Sequence, residues 1–352
     1  MTLQARNPLR IYGTDLAPGA LLAAKLIALV FATQGLWRLA DPFIPYVSVF
    51  DHVGDPTRFQ HVLSGIWIAA AVALFVNLWP RVACGVLGGT MGVALLSSDV
   101  FRTNNLTYTA IVFLLIALST RATAFTILRW QLVVLYGFAA ANKLLDRGWR
   151  NGSFFESWNT IQGYGHLYKT VGDVFPGRLF STGSSWGVIA IEFTLMFLFA
   201  FPRLAPLGAL GVIAYHSSLL FVTGSTFTMF WYALVATSIA ILWPAAEAPT
   251  ATVDSGPAVA LRLVDLGRAF RWREGPVSLA LGTRRFTGRE ALVRIVALQP
   301  VLYGVGYYLL ASPHDPNRRW GALIAFAGVA TGLVLRYRRA AGPTAAPSPS
   351  RA

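Results

Sequence analysis

Long apolar runs separated by short polar turns are the dominant pattern of this chain. Each run is close to the roughly 20 residues that a helix needs to cross a bilayer. The pattern predicts an all-α, polytopic membrane helical bundle with about eight core spans and two C-terminal spans. Two of the runs, 82–98 and 291–311, are short or interrupted, so nine spans are the alternative count. The predicted spans are 18–38, 61–79, 82–98, 104–120, 124–145, 184–202, 204–223, 226–244, 291–311 and 320–336.

Changes in composition divide the chain into four parts. A dense helical block comes first, and a basic appendage that starts with the linker-like sequence AAEAPTATVDSGP follows it. Two further helices and a tail that is disordered by composition complete the chain. The four parts are 1–244, 245–290, 291–338 and 339–352.

Two local patterns refine this picture. Inside the appendage, VSLALGTRRFTG predicts a small hairpin that turns at Gly282 and Thr283. Glycines four residues apart predict close helix packing in two of the spans. These pairs are Gly85 with Gly89, Gly88 with Gly92, and Gly328 with Gly332.

Composition and charge support a membrane protein. The chain is 55% hydrophobic and 12% charged, with a formal net charge of +14. Most basic residues fall on one side if the N-terminus is cytoplasmic, which predicts a multi-pass inner-membrane protein with both termini in the cytoplasm. The arginines then face anionic lipid, and no module for binding nucleic acid is present. The single cysteine, Cys84, excludes disulfides and thiolate metal sites, and no metal cofactor is expected.

Lys143 is the first candidate for chemistry. The chain has three lysines against 26 arginines, and Lys143 ends the apolar run LYGFAAANK. Helical spacing places Tyr136, Ala139, Ala140 and Lys143 on one face, which points the amine into the bundle. An amine held neutral by desolvation can act as a general base, which an arginine practically cannot. The alternative is a lysine that extends to the headgroups at a helix end.

Two further ionisable residues lie within predicted spans. Glu192 is the only acidic residue of the confident spans, and an intramembrane carboxylate indicates a partner or a cavity. His216 is the only histidine within a span, and Ser217 and Ser218 are expected to fix its tautomer. Both residues are also compatible with interhelical hydrogen bonding alone. If the three groups meet in one bundle interior, they suit proton abstraction or a proton relay.

An aromatic loop follows Lys143. Residues 146–183 include Trp149 and Trp158, and their aromatic density suits a lid over a planar apolar ligand or, alternatively, an interfacial loop. Lipophilic small molecules and membrane lipids are therefore the expected partners, together with a protein partner or substrate that the sequence does not identify.

Three segments carry a family resemblance. YGFAAANKLLDRGWRNG resembles the segment of vitamin K-dependent gamma-carboxylase in which a helix ends in Lys-Leu, followed by Trp and then Gly. TNNLTYTAIVFLL is similar to its Asn-Asn-His-Ser-Tyr segment, and YHSSLLFVTGSTFTMFWYAL to its Phe-His segment with a downstream Gly-x-Phe. The acidic residue in the carboxylase span that follows the lid loop corresponds to Glu192 of this chain. The order of these motifs over residues 18–244 resembles the horizontally transferred transmembrane (HTTM) domain family.

The resemblance implies a site and a chemistry. Lys143 would be the base that starts oxygenation of a reduced, vitamin K-like quinone, leading to epoxidation and carboxylation. Glu192 and His216 would join it in catalysis, with Leu106 standing at the position of a family histidine. A non-catalytic membrane component or a lipid or solute transporter is the alternative. The expected ligand-binding residues are Asn104, Asn105, Tyr108, Tyr136, Trp149 and Trp158.

Overall fold

A computed structural model describes residues 7–162, 170–223, 228–243, 246–254 and 259–311. The chain is mostly helical. Its α-helices are α1 (Pro18–Thr33), α2 (Pro56–Phe75), α3 (Pro80–Ser97), α4 (Asn104–Leu118), α5 (Ala124–Leu145), α6 (Arg147–Arg150), α7 (Ser153–Gln162), α8 (Leu179–Ala200), α9 (Ala205–Thr223), α10 (Thr228–Leu242), α11 (Val259–Val264), α12 (Gly288–Ala297) and α13 (Pro300–Ala311).

Within the described residues, four helices are long and apolar enough to cross a membrane: α2, α3, α5 and α8. Helices α12 and α13 become a fifth if they are one span, although they bend by 50° at the break before Pro300. The single predicted span 291–311 is therefore a broken element. Helices α1 and α4 are apolar but shorter. The predicted span 320–336 and the tail 339–352 lie outside the described residues.

Helix ends differ from the predicted bounds for local reasons. Helix α2 begins at Pro56 rather than at residue 61, because the Asp55 side chain accepts a hydrogen bond from the Arg58 amide at 2.9 Å. Pro56 suits the first helical turn, where an amide hydrogen is not needed. Helix α1 ends at Thr33 rather than at 38, and Gly35 follows it with a φ of +74°.

The segment before α1 is fastened to the bundle by a buried lysine. Lys25 is 5% exposed, and its ammonium group donates to the carbonyls of Pro8, Arg10 and Phe75 at 2.6, 2.8 and 3.3 Å. Asn77 adds hydrogen bonds to the carbonyls of Asn7 and Arg10. The lysine therefore satisfies carbonyl groups at this end of the bundle and holds the N-terminal segment in place.

The basic appendage contains a four-stranded sheet, so the prediction of an all-α fold is incomplete. Its strands are β1 (Thr250–Val253), β2 (Arg271–Glu274), β3 (Ser278–Leu281) and β4 (Arg284–Thr287). The strand order is β2-β1-β3-β4, with β1 parallel to β2 and antiparallel to β3. The predicted hairpin is present as β3 and β4, and Gly282 takes a φ of +60° at its turn. The sequence interpreted as a linker contributes β1, because its residues alternate between half-buried and buried positions.

The sheet defines two ends of the bundle. The starts of α1, α3, α5 and α9 and the end of α10 lie at the sheet end, and the end of α5 lies at the opposite end. We call the latter the Lys143 end. Helix α3 packs along α4, α5 along α8, and α1 along α10.

Only one of the glycines in the described pairs makes a close helix contact. A Cβ atom on Gly88 would lie 2.8 Å from the Ala110 carbonyl oxygen and 2.7 Å from Leu114, whereas Gly89 and Gly92 face open space. Gly85 allows only an ordinary contact with Ala117. The predicted role in close packing therefore belongs to Gly88, and the pair Gly328 and Gly332 lies outside the described residues.

We expect Gly88→Ala to destabilise the bundle, because a backbone carbonyl cannot move aside as a side chain can. Overpacking of this kind costs on the order of 1–3 kcal/mol. Thermal unfolding in detergent checks the prediction, with Gly89→Ala as the matched control on the open face. Equal melting temperatures of the two variants would contradict the close contact.

Candidate functional site

The Lys143 end contains a partly buried ion pair between α5 and α8. The Lys143 ammonium nitrogen lies 2.9 and 2.8 Å from the two carboxylate oxygens of Glu192. The two side chains are 19% and 8% exposed. A carboxylate this close stabilises the ammonium form of an amine. Lys143 and Glu192 therefore form an ion pair that joins the two helices.

Trp149 covers the ion pair. The Lys143 nitrogen lies 5.0 Å from the centre of the Trp149 ring, a cation–π distance. Trp149 in turn stacks on Phe154 at 4.2 Å and meets Phe155 edge-on at 5.3 Å. These three aromatic side chains form a hydrophobic cover at the outer margin of the pair. Such a cover strengthens the electrostatic interaction because it excludes water.

The turn that carries this cover follows from the DRGWRNG sequence. The Asp146 side chain accepts from the Gly148 amide at 2.6 Å and caps α6, and the Asn151 side chain accepts from the Ser153 amide at 3.0 Å ahead of α7. Gly152 lies between these helices with a φ of +76°. A Cβ atom there would lie 2.5 Å from the Thr182 amide nitrogen, so only glycine lets the turn contact α8.

His216 lies deeper in the bundle and has one unsatisfied ring nitrogen. It is 7% exposed, its Nε2 lies 2.9 Å from the Tyr136 hydroxyl, and its ring is parallel to Phe230 at 6.2 Å. The other nitrogen, Nδ1, is buried and has no hydrogen-bond partner among the described residues. If Tyr136 donates to Nε2, Nδ1 carries the proton and can donate to a bound group.

The tautomer of His216 depends on Tyr136, and the predicted role of the neighbouring serines is wrong. The Ser217 hydroxyl accepts from the Trp231 indole nitrogen at 2.9 Å, and the Ser218 hydroxyl donates to the Tyr215 carbonyl at 2.7 Å. Neither serine is bonded to the imidazole. Helix α5 supplies the partner instead, and sequence distance hides this because Tyr136 and His216 are 80 residues apart.

One large cavity connects these groups. Its volume is about 1030 Å³, and aliphatic and aromatic side chains make most of its wall. The three ionisable residues proposed from the sequence all line it. The predicted site residues found on its wall are Lys143, Glu192, His216, Asn104, Tyr108, Tyr136 and Trp149.

Two predicted ligand-binding residues are not placed on this wall. Asn105 lies next to Asn104 on α4 but is not among the lining residues, and its carbonyl accepts from the Thr109 hydroxyl. The side chain of Trp158 lies outside the described residues. Tyr108 lines the cavity through its ring, while its hydroxyl lies 3.3 Å from the Thr237 hydroxyl.

Gln131 is a cavity residue that the sequence interpretation missed. It lies on α5, and its side-chain oxygen is buried without a hydrogen-bond partner. Asn142, beside Lys143, also lines the wall. Both were visible as amides within an apolar run, where a polar side chain needs a partner. The family resemblance pointed instead to the amides of Asn104 and Asn105 on α4.

The described residues contain no group of three His, Cys, Asp or Glu side chains arranged to hold a metal ion. The arrangement instead combines an ion pair, an imidazole and three side-chain amides within apolar walls. It suits a largely hydrophobic ligand that carries a few polar atoms. No family model, curated protein or solved structure matches this chain.

We expect Lys143→Met to destabilise the protein, because it leaves the Glu192 carboxylate buried without its cation. Breaking one side of a buried pair costs on the order of 3–5 kcal/mol. The double variant Lys143→Met, Glu192→Gln removes both charges and is expected to recover most of that loss. Thermal unfolding of wild type, both single variants and the double variant measures the coupling free energy. Additive effects of the two substitutions on stability would contradict an energetic coupling between Lys143 and Glu192.

Proposed function

We propose that this protein is an HTTM-type membrane protein that binds a lipophilic quinone in the cavity at the Lys143 end and uses Lys143 as a base. The proposal includes about ten spans, a bacterial inner-membrane location and cytoplasmic termini, which the distribution of basic residues favours. The observation that carries it is that Lys143, Glu192 and His216 all line one largely apolar cavity. The His216 Nδ1 is buried and has no partner among the described residues, and such an atom favours a polar ligand atom near it.

The length of the cavity supports a ligand with a long apolar tail. Its lining follows α5 from Thr126, in the first turn, to Lys143, in the last. At about 1.5 Å per residue this distance is roughly 25 Å, close to the thickness of the hydrocarbon layer. The ionisable groups lie toward one end, so an amphipathic molecule fits with its ring at Lys143 and its tail along α5.

The wall on the membrane side supports entry from the bilayer. Ile111 on α4 and Val134 and Phe138 on α5 line the cavity and are 41%, 54% and 68% exposed. Ile111 and Val134 lie near the middle of their helices, where the surroundings of a span are lipid tails. Exposed lining residues at that depth favour entry of a lipophilic molecule directly from the bilayer.

Recognition of the polar ring falls to His216 and the side-chain amides. His216 Nδ1, as a proton donor, suits an oxygen of a quinone or a quinol, and Tyr108 and Phe230 provide aromatic surface beside it. Gln131 lies nearer the sheet end of the cavity, and its unsatisfied side-chain oxygen suits a hydroxyl donor of the ligand. Trp149 limits access of water from the outer side.

The ion pair provides the acid–base chemistry. A bound quinol supplies the reducing equivalents for reaction with dioxygen. Proton transfer from the Lys143 ammonium to Glu192 leaves the amine free to accept a proton from a ligand hydroxyl. The contact between these residues provides a direct path for this transfer, because both carboxylate oxygens lie within hydrogen-bond distance of the amine. This role agrees with the resemblance of the Lys143 segment to the gamma-carboxylase segment.

We expect Lys143→Arg to keep the ion pair and ligand binding but to lose quinol-dependent oxygen uptake, because an arginine does not give up its proton. Purified wild type and variant are compared for quinol oxidation and dioxygen uptake, and for quinone retained in native mass spectrometry. Unchanged turnover in Lys143→Arg would overturn the role of the base.

We expect His216→Phe to weaken quinone binding by about tenfold, since one hydrogen bond to the ring is worth about 1–1.5 kcal/mol. Quenching of tryptophan fluorescence by a short-chain quinone measures the affinity. Leu118→Phe is the control, since Leu118 is an exposed helical residue that does not line the cavity. Equal affinity of all three proteins would place the ligand elsewhere.

A further inference from the structure

A second cavity lies at the sheet end, where the bundle meets the appendage. Its volume is about 340 Å³, and the start of α1, the turn between α4 and α5, and the loop before β2 all contribute to its wall. Four arginines line it: Arg10, Arg121, Arg268 and Arg271. They come from three parts of the chain that are far apart in sequence, so only the fold brings them together.

The first arginine is held in a fixed position by the bundle. The carbonyl of Arg10 accepts from the Lys25 ammonium at 2.8 Å and from the Asn77 amide at 3.2 Å. Its side-chain Nε donates to the Tyr12 carbonyl at 3.0 Å, which fixes the orientation of the guanidinium. Arg10 is therefore positioned by buried polar groups and not by chance on a flexible segment.

The loop that carries Arg268 is built around a buried carboxylate. Asp265 is 6% exposed and accepts from the amides of Ala269 and Phe270 at 2.8 and 3.2 Å. Its Oδ2 also accepts from the Trp272 indole at 2.9 Å. These donors compensate the charge of Asp265. The same loop holds Arg268 at a φ of +48°, a backbone conformation that a non-glycine residue adopts only when its surroundings impose it.

The loop is also fastened to the N-terminal segment. The Asn7 side chain donates to the Leu266 carbonyl, and a Cβ atom on Gly267 would lie 2.8 Å from the Leu9 carbonyl oxygen. Arg271 begins β2, where its amide donates to the Pro249 carbonyl at 2.8 Å. Arg10, Arg268 and Arg271 consequently face one space from surfaces that are docked on each other.

Positive charge exceeds negative charge among the described residues that line this cavity. Glu247 is the one carboxylate among its lining residues, against the four arginines, and neither Arg268 nor Arg271 forms an ion pair within the described part of the chain. Burial raises the pKa of Tyr12 above its usual range, so this lining residue stays neutral. Like charges gathered in one cavity repel each other unless an anion joins them.

We propose that this cavity, the sheet-end arginine site, binds a phosphate group. Guanidinium groups present paired N–H donors that match the oxygens of a phosphate, and several of them around one space favour a multiply charged anion. The cavity lies where helices α1 and α5 begin, at the boundary of the apolar bundle. The phosphate can therefore belong to the headgroup of an anionic lipid or to a soluble molecule, with the same protein groups in contact.

The test compares the double variant Arg268→Gln, Arg271→Gln with the matched double variant Arg262→Gln, Arg273→Gln. Both lose two positive charges from exposed positions of the appendage, but Arg262 and Arg273 do not line the cavity. In the first arm, the full-length protein in uncharged detergent is titrated with inorganic pyrophosphate, and thermal unfolding is followed. In the second, the protein is reconstituted in phosphatidylcholine nanodiscs with or without phosphatidylglycerol, and bound lipid is counted by native mass spectrometry.

In the first arm, we expect the cavity variant Arg268→Gln, Arg271→Gln to need at least tenfold more pyrophosphate than the control for the same stabilisation. This result identifies the ligand as a soluble phosphate compound. Retention of phosphatidylglycerol with the same dependence, without a pyrophosphate effect, identifies a lipid headgroup. Equal behaviour of the two double variants in both arms, or no response of the wild type in either, overturns the proposal. If the cavity variant does not fold, Arg271→Gln alone is compared with Arg273→Gln by the same readouts.

Discussion

A carboxylate among apolar helices is stable only when a cation or several hydrogen-bond donors compensate for its lost hydration. Glu192 meets this condition through Lys143, whose nitrogen lies within 3 Å of both carboxylate oxygens. The contact joins α5 to α8 at the end where the chain leaves the bundle. The turn after Lys143 then places Trp149 over the pair. The apolar cavity lies beside this compensated charge, and its chemistry follows from it.

The same requirement organises the sheet end with a different solution. Buried cations there bind backbone carbonyls instead of carboxylates. Lys25 donates to three carbonyls, and the Arg129 guanidinium donates to those of Phe199 and Ala200 at the end of α8. Carbonyls at helix ends lack partners within the helix, so a cation satisfies them and also meets the negative end of the helix dipole. These contacts hold the segments on which the appendage is docked.

The two ends therefore differ in the kind of ligand that they suit. At the Lys143 end the charges are paired inside a long apolar cavity, which favours a lipophilic molecule with a polar ring. At the sheet end positive charge exceeds negative charge around a small cavity near the boundary of the bundle, which favours an anion. Because the two cavities share no lining residue, substitutions in one are expected to leave binding in the other unchanged.

Much of the helical architecture could be predicted from the sequence, because the length of an apolar run and the position of Asp, Pro and Gly act locally. The hairpin at Gly282 and the candidates Lys143, Glu192 and His216 were also recognisable, since a charged or titratable residue in an apolar run stands out by itself. Strands β1 and β2 were missed, because a strand of four residues is decided by its neighbours in the sheet.

Only the tertiary structure decided which groups meet. It paired Lys143 with Glu192, gave His216 its partner Tyr136, and brought Arg10 and Arg268 around one cavity. Residues that are tens to hundreds of positions apart become neighbours through helix packing. Since protonation, hydrogen bonding and charge balance depend on distances of a few ångström, the chemistry of both cavities belongs to the packing and not to the local sequence.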